Sequence, residues 1–475
     1  MFKKYIDENK MIENLQELIR IPSVYSETQN IKKPFGNNTV KALKYILDLA
    51  ESMGFKVKNI DNYCGYIEFG EGSELIGIIG HLDVVPEGEN WTYPPFEARI
   101  VDNKIYGRGA IDDKGPVMAS LYAMKAVMDY CNSNSISINK RVRLILGLNE
   151  ERDWKCIEYY KAHEELPTIS FSPDADFPCI YAEKGLLSPI LSMDYSSFKN
   201  SNIVLTDINC NNNPLNVVPK YCSCNLYIKN TVDIDNVLNL IEDYCRQKEL
   251  NIKAEVVNQN EIKIESFGVQ AHAAHPGMGI NAISQLLMLL DFVFENNSTK
   301  VPLLDLFTKY IGLDYNGKAL NINFPDESGE LTLNVGNISL ENNKLKLGIN
   351  LRVPINTEFE LVEKAFTATC KGFEGVSCEF IGKKDPLYIP KNSYLVQTLC
   401  RIYNECTNSN AEPITIGGAT YARAFDNCIS FGANLPEQKD MCHQTDEFIS
   451  IDNLVLACNI YSKAIYELAG IEGRS

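Results

Sequence analysis

Residues 80–116 read GHLDVVPEGENWTYPPFEARIVDNKIYGRGAIDDKGP, and this stretch decides how the chain is organised. It opens where an apolar run, Leu75-Ile76-Gly77-Ile78-Ile79, comes to an end. The length and β-branched content of that run predict a buried strand. His81 and Asp83 follow, two residues apart, so on an extended backbone they share one side. The stretch closes with Gly107-Arg108-Gly109 and then Ile111-Asp112-Asp113-Lys114-Gly115-Pro116, a polar turn into a helix predicted over 117–128. Imidazole and carboxylate gathered at a strand end suit a divalent cation such as zinc. A surface strand followed by a charged turn accounts for the same residues, so the surrounding chain has to decide.

Working outward, helices are predicted up to Arg20, where Ile21-Pro22-Ser23 stops the pattern, and over 38–53. Strands are predicted at 56–60, 66–69 and 76–80. A further strand at 141–148 runs directly into Asn149-Glu150-Glu151, and one at 168–171 runs into Ser172-Pro173-Asp174-Ala175-Asp176. Active sites of open α/β sheets collect beyond the carboxyl ends of the strands. His81, Asp83, Asp112, Glu150, Glu151 and Asp174 are therefore expected along one sheet edge.

The texture changes after Gly185, where Asn- and Ser-rich segments and short strands take over. Within 186–383 a pattern occurs twice: a strand around Cys224 leads to a helix over 233–250, and a strand around Ile349 leads to a helix over 358–372. From Lys384 the α/β texture returns, with helices at 393–406 and 451–468 and a glycine-rich turn, Thr415-Ile416-Gly417-Gly418. The expected organisation is a catalytic α/β domain in two parts, 1–185 and 384–475. Its mixed sheet is flanked by helices, and an α+β lid at 186–383 is made of two similar ferredoxin-like units.

A chain of 475 residues exceeds what one hydrophobic core usually organises, in keeping with two domains. A formal net charge of −17 argues against nucleic-acid binding, which rests on Lys and Arg neutralising phosphates. No apolar stretch is long enough for a bilayer, and acidic residues occupy the place of a signal peptide's apolar centre, so a cytoplasmic protein is expected. The 15 cysteines stand singly except for Cys222 and Cys224, with no second pair at finger-like spacing, and read as reduced core residues. Of five histidines, His163 sits in a charged helix and His275 precedes Pro276-Gly277, which leaves His81, His272 and His443.

Taken together and in this order, GHLDVVP, GRGAIDDKGP, NEE, SPDADFP, GVQAHAAHPGMGINA and MCHQTDE resemble the dinuclear-zinc exopeptidase family. That family includes carboxypeptidase G, desuccinylase, aminoacylase and carnosinase, and SPDADFP, IGGATYAR and the long middle region are most like its PepV-type dipeptidases. The resemblance implies two divalent ions, Zn2+ with Mn2+ or Co2+ as alternatives. His81 and Asp174 (or Asp176) would hold one ion, Glu151 and His443 the other, and Asp112 would bridge them, followed by a cis peptide bond. Asp83 would orient His81, Glu150 would act as general base on the dimetal-bridged water, and His272 would reach across from the lid to the oxyanion. Asn216, Arg352, Gly417 and Gly418 would bind the substrate carboxylate.

The implied activity is hydrolysis of dipeptides with a free N-terminus, by a monomer whose partner is a small peptide. An N-acyl amino acid deacylase or desuccinylase with the same site, or a catalytically silent metal-binding scaffold, remain the alternatives.

Overall fold

The computed structural model describes residues 1–470 and divides into two compact units. The first comprises Met1–Ala182, Tyr388–Ile414 and Ala419–Ser475, and the second Glu183–Leu387 with Thr415–Gly418.

The first unit is a mixed sheet flanked by helices, as the alternating pattern implies. Its centre is parallel: Arg141–Gly147, Leu75–His81, Ile169–Ser172 and Cys428–Ser430 lie side by side in that order. Lys56–Ile60 and Cys64–Phe69 continue one edge antiparallel. Every residue of Leu75–His81 is buried, which explains its unbroken apolar run, since a parallel strand is covered on both faces. The helices Lys114–Ser133 and Ile451–Leu468 pack on each other, and the former also packs on the Leu75–His81 strand. That approach is close: a Cβ on Gly80 would lie 2.5 Å from Asp113 Oδ2 and 2.6 Å from Val117 Cγ2, so only glycine fits there.

A buried ion pair joins two neighbouring strands of this sheet, and its arginine also reaches a covering helix. Arg143 Nε donates to Glu68 Oε2 at 2.7 Å, its Nη1 donates to the Tyr160 hydroxyl at 2.8 Å, and its guanidinium lies 3.9 Å from the Tyr66 ring centroid. Glu68→Ala is expected to destabilise the first unit by about 3–5 kcal/mol, because it leaves the guanidinium buried without its counter-charge. Urea denaturation checks this, and the double replacement Glu68→Leu with Arg143→Met should fall much nearer the parent.

The second unit holds two four-stranded antiparallel sheets. One runs Ile203–Asn209, Tyr221–Ile228, Glu261–Phe267, Ile252–Asn258, and the other Thr332–Glu341, Lys344–Val353, Gly185–Asp194, Ser377–Lys384. The two correspond strand by strand, with the helices Ile234–Lys248 and Phe359–Lys371 in equivalent places. The correspondence is permuted, because Gly185–Asp194 precedes the rest of its sheet whereas Glu261–Phe267 follows its own. Cys222 and Cys224 are buried core residues of the Tyr221–Ile228 strand.

Candidate metal centre

The three central strands of the first unit deliver their functional residues at one edge, as Leu75–His81, Arg141–Gly147 and Ile169–Ser172 run parallel. His81 is the last residue of its strand, Glu150 and Glu151 follow Gly147, and Asp174 follows Ser172. Asp112 comes from the turn before the Lys114–Ser133 helix, and the Asp112–Asp113 peptide bond is cis. His443 comes from the loop after Ala433–Asn434.

These residues form two groups that meet at Asp112. His81 Nε2 lies 3.1 Å from Asp112 Oδ1 and 3.5 Å from Asp174 Oδ2. His443 Nε2 lies 3.0 Å from Asp112 Oδ2 and 3.1 Å from Glu151 Oε1. His81, Asp112 and Asp174 present one ligand atom each within 4.8 Å of one another, and so do Asp112, Glu151 and His443. Glu150 stands beside them, grouped with His81 and Glu151. Asp176 belongs to neither group; it pairs in register with Asn434.

The donor set fits divalent cations on three counts. His81 Nδ1 faces the Asp83 carbonyl oxygen at 2.9 Å, and a carbonyl only accepts, so the proton sits on Nδ1 and the lone pair on Nε2. That Nε2 is fully buried and makes no hydrogen bond, although two carboxylates are near. It points into the gap between them, where a ligand atom belongs. Finally, Asp112, Glu150, Glu151 and Asp174 bring four carboxylates together, which two divalent cations would neutralise.

Without ions the cluster gathers protons instead. Burial raises Glu150 well above the usual carboxylate range, with Asp174, Glu151 and Asp112 adding to the effect. Burial and then Asp112 push Glu151 up to about 7. Burial opposes the charged form of His443, yet Asp112 and Glu151 outweigh it and raise this imidazole to about 11. Asp112 moves the other way, because the two imidazoles overcome its burial.

Asp83 does more than its expected part. Its carbonyl, rather than its carboxylate at 3.6 Å, accepts from His81 Nδ1. The carboxylate instead accepts from the backbone N–H groups of Glu150 and Glu151, both at 3.1 Å, and so pins the two acids at the strand end. Sequence reasoning also passed over Asp113, Lys114, Arg108 and Glu447. Asp113 Oδ2 accepts from the His81 backbone N–H at 3.0 Å, and the buried Lys114 ammonium donates to the carbonyls of Leu18 and Ile21 at 3.1 and 2.7 Å. All four lie inside the motifs GRGAIDDKGP and MCHQTDE, but a motif does not say which way each side chain points.

The residues expected to bind substrate gather within the second unit. Ala273 N–H donates to the Asn216 carbonyl at 2.9 Å, and Val217 bridges to His272. His272 Nδ1 accepts from Ala274 N–H at 3.3 Å, which puts its proton on Nε2. Arg352 Nη1 donates to the Gly417 carbonyl at 2.6 Å. A Cβ on Gly417 would come 2.9 Å from that of Ala274, so this position also demands glycine. Gly418 follows it in the same turn, within this unit. Beside them opens a cavity of about 480 Å³, walled by Ala274, Pro276, Met278, Tyr315, Thr332 and Gly417. Of its lining residues, Met278 and Tyr315 are 79% and 47% exposed. His163 stacks on Tyr159, 4.0 Å between ring centroids, and His275 is exposed. Neither joins the metal groups.

No helix among the described residues is long and apolar enough to cross a membrane. Known proteins resemble this chain along its whole length. The chain is 39% identical over 463 residues to YtjP of Bacillus subtilis (strain 168), a candidate dipeptidase, covering 97% of both chains. It is 34% identical over 481 residues to a candidate dipeptidase of Staphylococcus haemolyticus (strain JCSC1435), covering 100% of both. Among solved structures, human carnosine dipeptidase 1 shares the fold with a TM-score of 0.58 at 15% identity, over 99% of this chain and 98% of that one. Aminopeptidase PepT from Bacillus cereus ATCC 10987 does so with a TM-score of 0.57 at 15% identity, over 98% and 100%. The profile of Peptidase family M20/M25/M40 matches residues 77–467, and with relatives this similar along the whole chain, the protein belongs to that family of metallopeptidases.

Proposed function

We propose that the protein is a two-ion dipeptidase acting on dipeptides with a free N-terminus. The observation that carries this reading is Asp112, whose two carboxylate oxygens face two different imidazoles at 3.1 and 3.0 Å. His81 and Asp174 are assigned to one ion, Glu151 and His443 to the other, and Asp112 to both. Two such ions supply Lewis-acid chemistry, stabilising charge on the scissile carbonyl oxygen and making the attacking water more acidic.

Glu150 is the general base, which takes a proton from the attacking water and returns it to the leaving amine nitrogen. Asp83 keeps this residue in place through its backbone while also holding the His81 tautomer. In the second unit, Arg352, Asn216 and Gly417 form the group that recognises the free carboxylate, since a guanidinium matches a carboxylate as a fork. His272 is a further donor there through Nε2. Zinc suits the donor set, and the same ligands accept manganese or cobalt. The candidate dipeptidases among the relatives favour a dipeptide over an N-acyl amino acid.

The test is a panel of dipeptides run beside their N-acetylated forms, on chelator-stripped protein refilled with zinc or manganese. Ion-dependent cleavage of the free-amine set alone is the expected result. Cleavage of the acetylated set alone would make the protein a deacylase. Silence with every ion would leave a metal-binding scaffold. Within the cleaved set, the cavity beside Arg352 gives room for a large C-terminal side chain. Leu, Tyr or Trp at that position should raise kcat/KM over Gly by about tenfold or more, the worth of burying such a side chain.

A further inference from the structure

Unlike His81, Glu151 and Asp174, which lie at or just beyond the ends of central strands, Asp112 and His443 sit on loops that follow none of them, and loops are poor at holding precise geometry. Asp112 lies in the turn before a helix. His443 is 52% exposed on its side chain and holds φ 63°, in the left-handed region that a residue with a Cβ enters only at a cost. Something must hold both loops, and the contacts converge on a single carboxylate.

Glu447 is fully buried, four residues after His443. Its Oε1 accepts from the backbone N–H groups of Ile111 at 2.9 Å and Asp112 at 3.3 Å. Its Oε2 accepts from Gly109 N–H at 3.1 Å and from Arg108 Nη1 at 2.7 Å. Its own carbonyl accepts from Gly107 N–H at 2.9 Å. Arg108 completes the clasp, since its Nη2 donates to the carbonyls of Glu87 at 3.2 Å and His443 at 3.4 Å. Next door, Asp446 accepts from Thr92 N–H at 2.8 Å and from the Thr92 hydroxyl at 2.7 Å.

We propose that Glu447, with Arg108, is a positioning residue that fixes the Asp112 and His443 loops against each other, so that the ion shared by Asp112, Glu151 and His443 binds a preformed site. The proposal rests on the two-ion reading above. Glu447 touches neither ion nor substrate. It acts by giving every N–H of the Asp112 turn that faces it an acceptor, which leaves the Asp112 carboxylate aimed outward between the imidazoles. His81 and Asp174 stand at the ends of their own strands, with the Asp83 carbonyl on the His81 ring, whereas Asp112 serves both ions and His443 only one. Loss of Glu447 should therefore weaken both ions through Asp112, and the one that also depends on His443 much the more.

The experiment is titration of the chelator-stripped, full-length protein with Co2+ against a chromophoric chelator, following both stoichiometry and the Co2+ absorption bands. Wild type should take up two equivalents. Glu447→Ala should bind the second about 10–100-fold more weakly, the usual cost of removing a group that orients a ligand, and the first with a clearly smaller loss. Glu447→Gln keeps an amide oxygen for Ile111 and Asp112 and should recover most of that loss.

Should Glu447→Ala fail to fold because Arg108 is left buried and unpaired, Arg108→Met with Glu447→Leu removes both charges together. That variant should fold and show the same selective loss. Equal weakening of both ions, or two ions bound with wild-type affinity in the double variant, would overturn the positioning role. Fewer than two ions in wild type would instead overturn the two-ion reading itself, and the inference with it.

Discussion

Glu150→Ala is expected to lower kcat by between about a hundredfold and 10,000-fold, the range for a lost general base, while the protein still binds two ions. The geometry makes the outcome sharp. Glu150 lies close enough to His81 and Glu151 to be a ligand itself, so a base and a ligand are the two roles open to it. A lost ligand takes an ion with it, whereas a lost base leaves ion content intact, and metal analysis beside steady-state kinetics separates the two. Truncating the side chain should not disturb the strand end, because the backbone N–H of Glu150 remains pinned by Asp83 Oδ1 at 3.1 Å. There is a further consequence. Burial and three neighbouring acids disfavour the charged form of Glu150, so without ions the carboxylate is a burden on the fold. The ion-stripped variant should therefore melt no lower than the ion-stripped parent. A lower melting temperature would mean that Glu150 holds the structure together rather than serving chemistry.

How far the sequence reveals this site depends on how local each determinant is. The Leu75–His81 strand is legible because seven consecutive residues are buried and mostly β-branched or aliphatic. The helices at Glu8–Ile19 and Ile451–Leu468 are legible from their apolar spacing. The convergence of His81, Glu150, Glu151 and Asp174 follows from one topological rule about strand ends, once the strands are recognised as parallel. What the sequence hides is determined by partners far away along the chain. Arg108 meets a carboxylate 339 positions on, and no periodicity within either segment announces that pairing. Asp83 is hidden for another reason: the choice between its carbonyl and its carboxylate as partner for His81 is a matter of backbone path over two residues. The second unit shows a third limit. Its two sheets match, but one takes its third strand from Gly185–Asp194, well before the rest, so a repeat sought in chain order shows only as a faint echo.

The sharpest separation of neighbouring roles is expected at Asp112 and Asp113. Adjacent and chemically identical, they face different atoms. Asp112 offers one oxygen to each imidazole, at 3.1 and 3.0 Å, and is the only residue common to the two ligand groups in which it appears. Asp113 turns inward and accepts from the backbone N–H of His81 at 3.0 Å. An asparagine has one carboxamide oxygen, so Asp112→Asn can serve one side of the site but puts an NH2 group, which donates, toward the other. Ion content should fall from two to one or none, with affinity for the lost ion reduced by more than about 100-fold, beyond what removal of an orienting group costs. Turnover should fall with it. Asp113→Asn keeps an oxygen to accept from His81 N–H and should retain both ions, with kcat/KM within about threefold of the parent. Metal analysis of the two variants side by side decides the matter. If Asp113→Asn lost an ion while Asp112→Asn kept both, the shared carboxylate would be the wrong one of the pair. If neither lost an ion, the two groups would not share a carboxylate at all, and the case for a two-ion centre would rest on His81 and His443 separately.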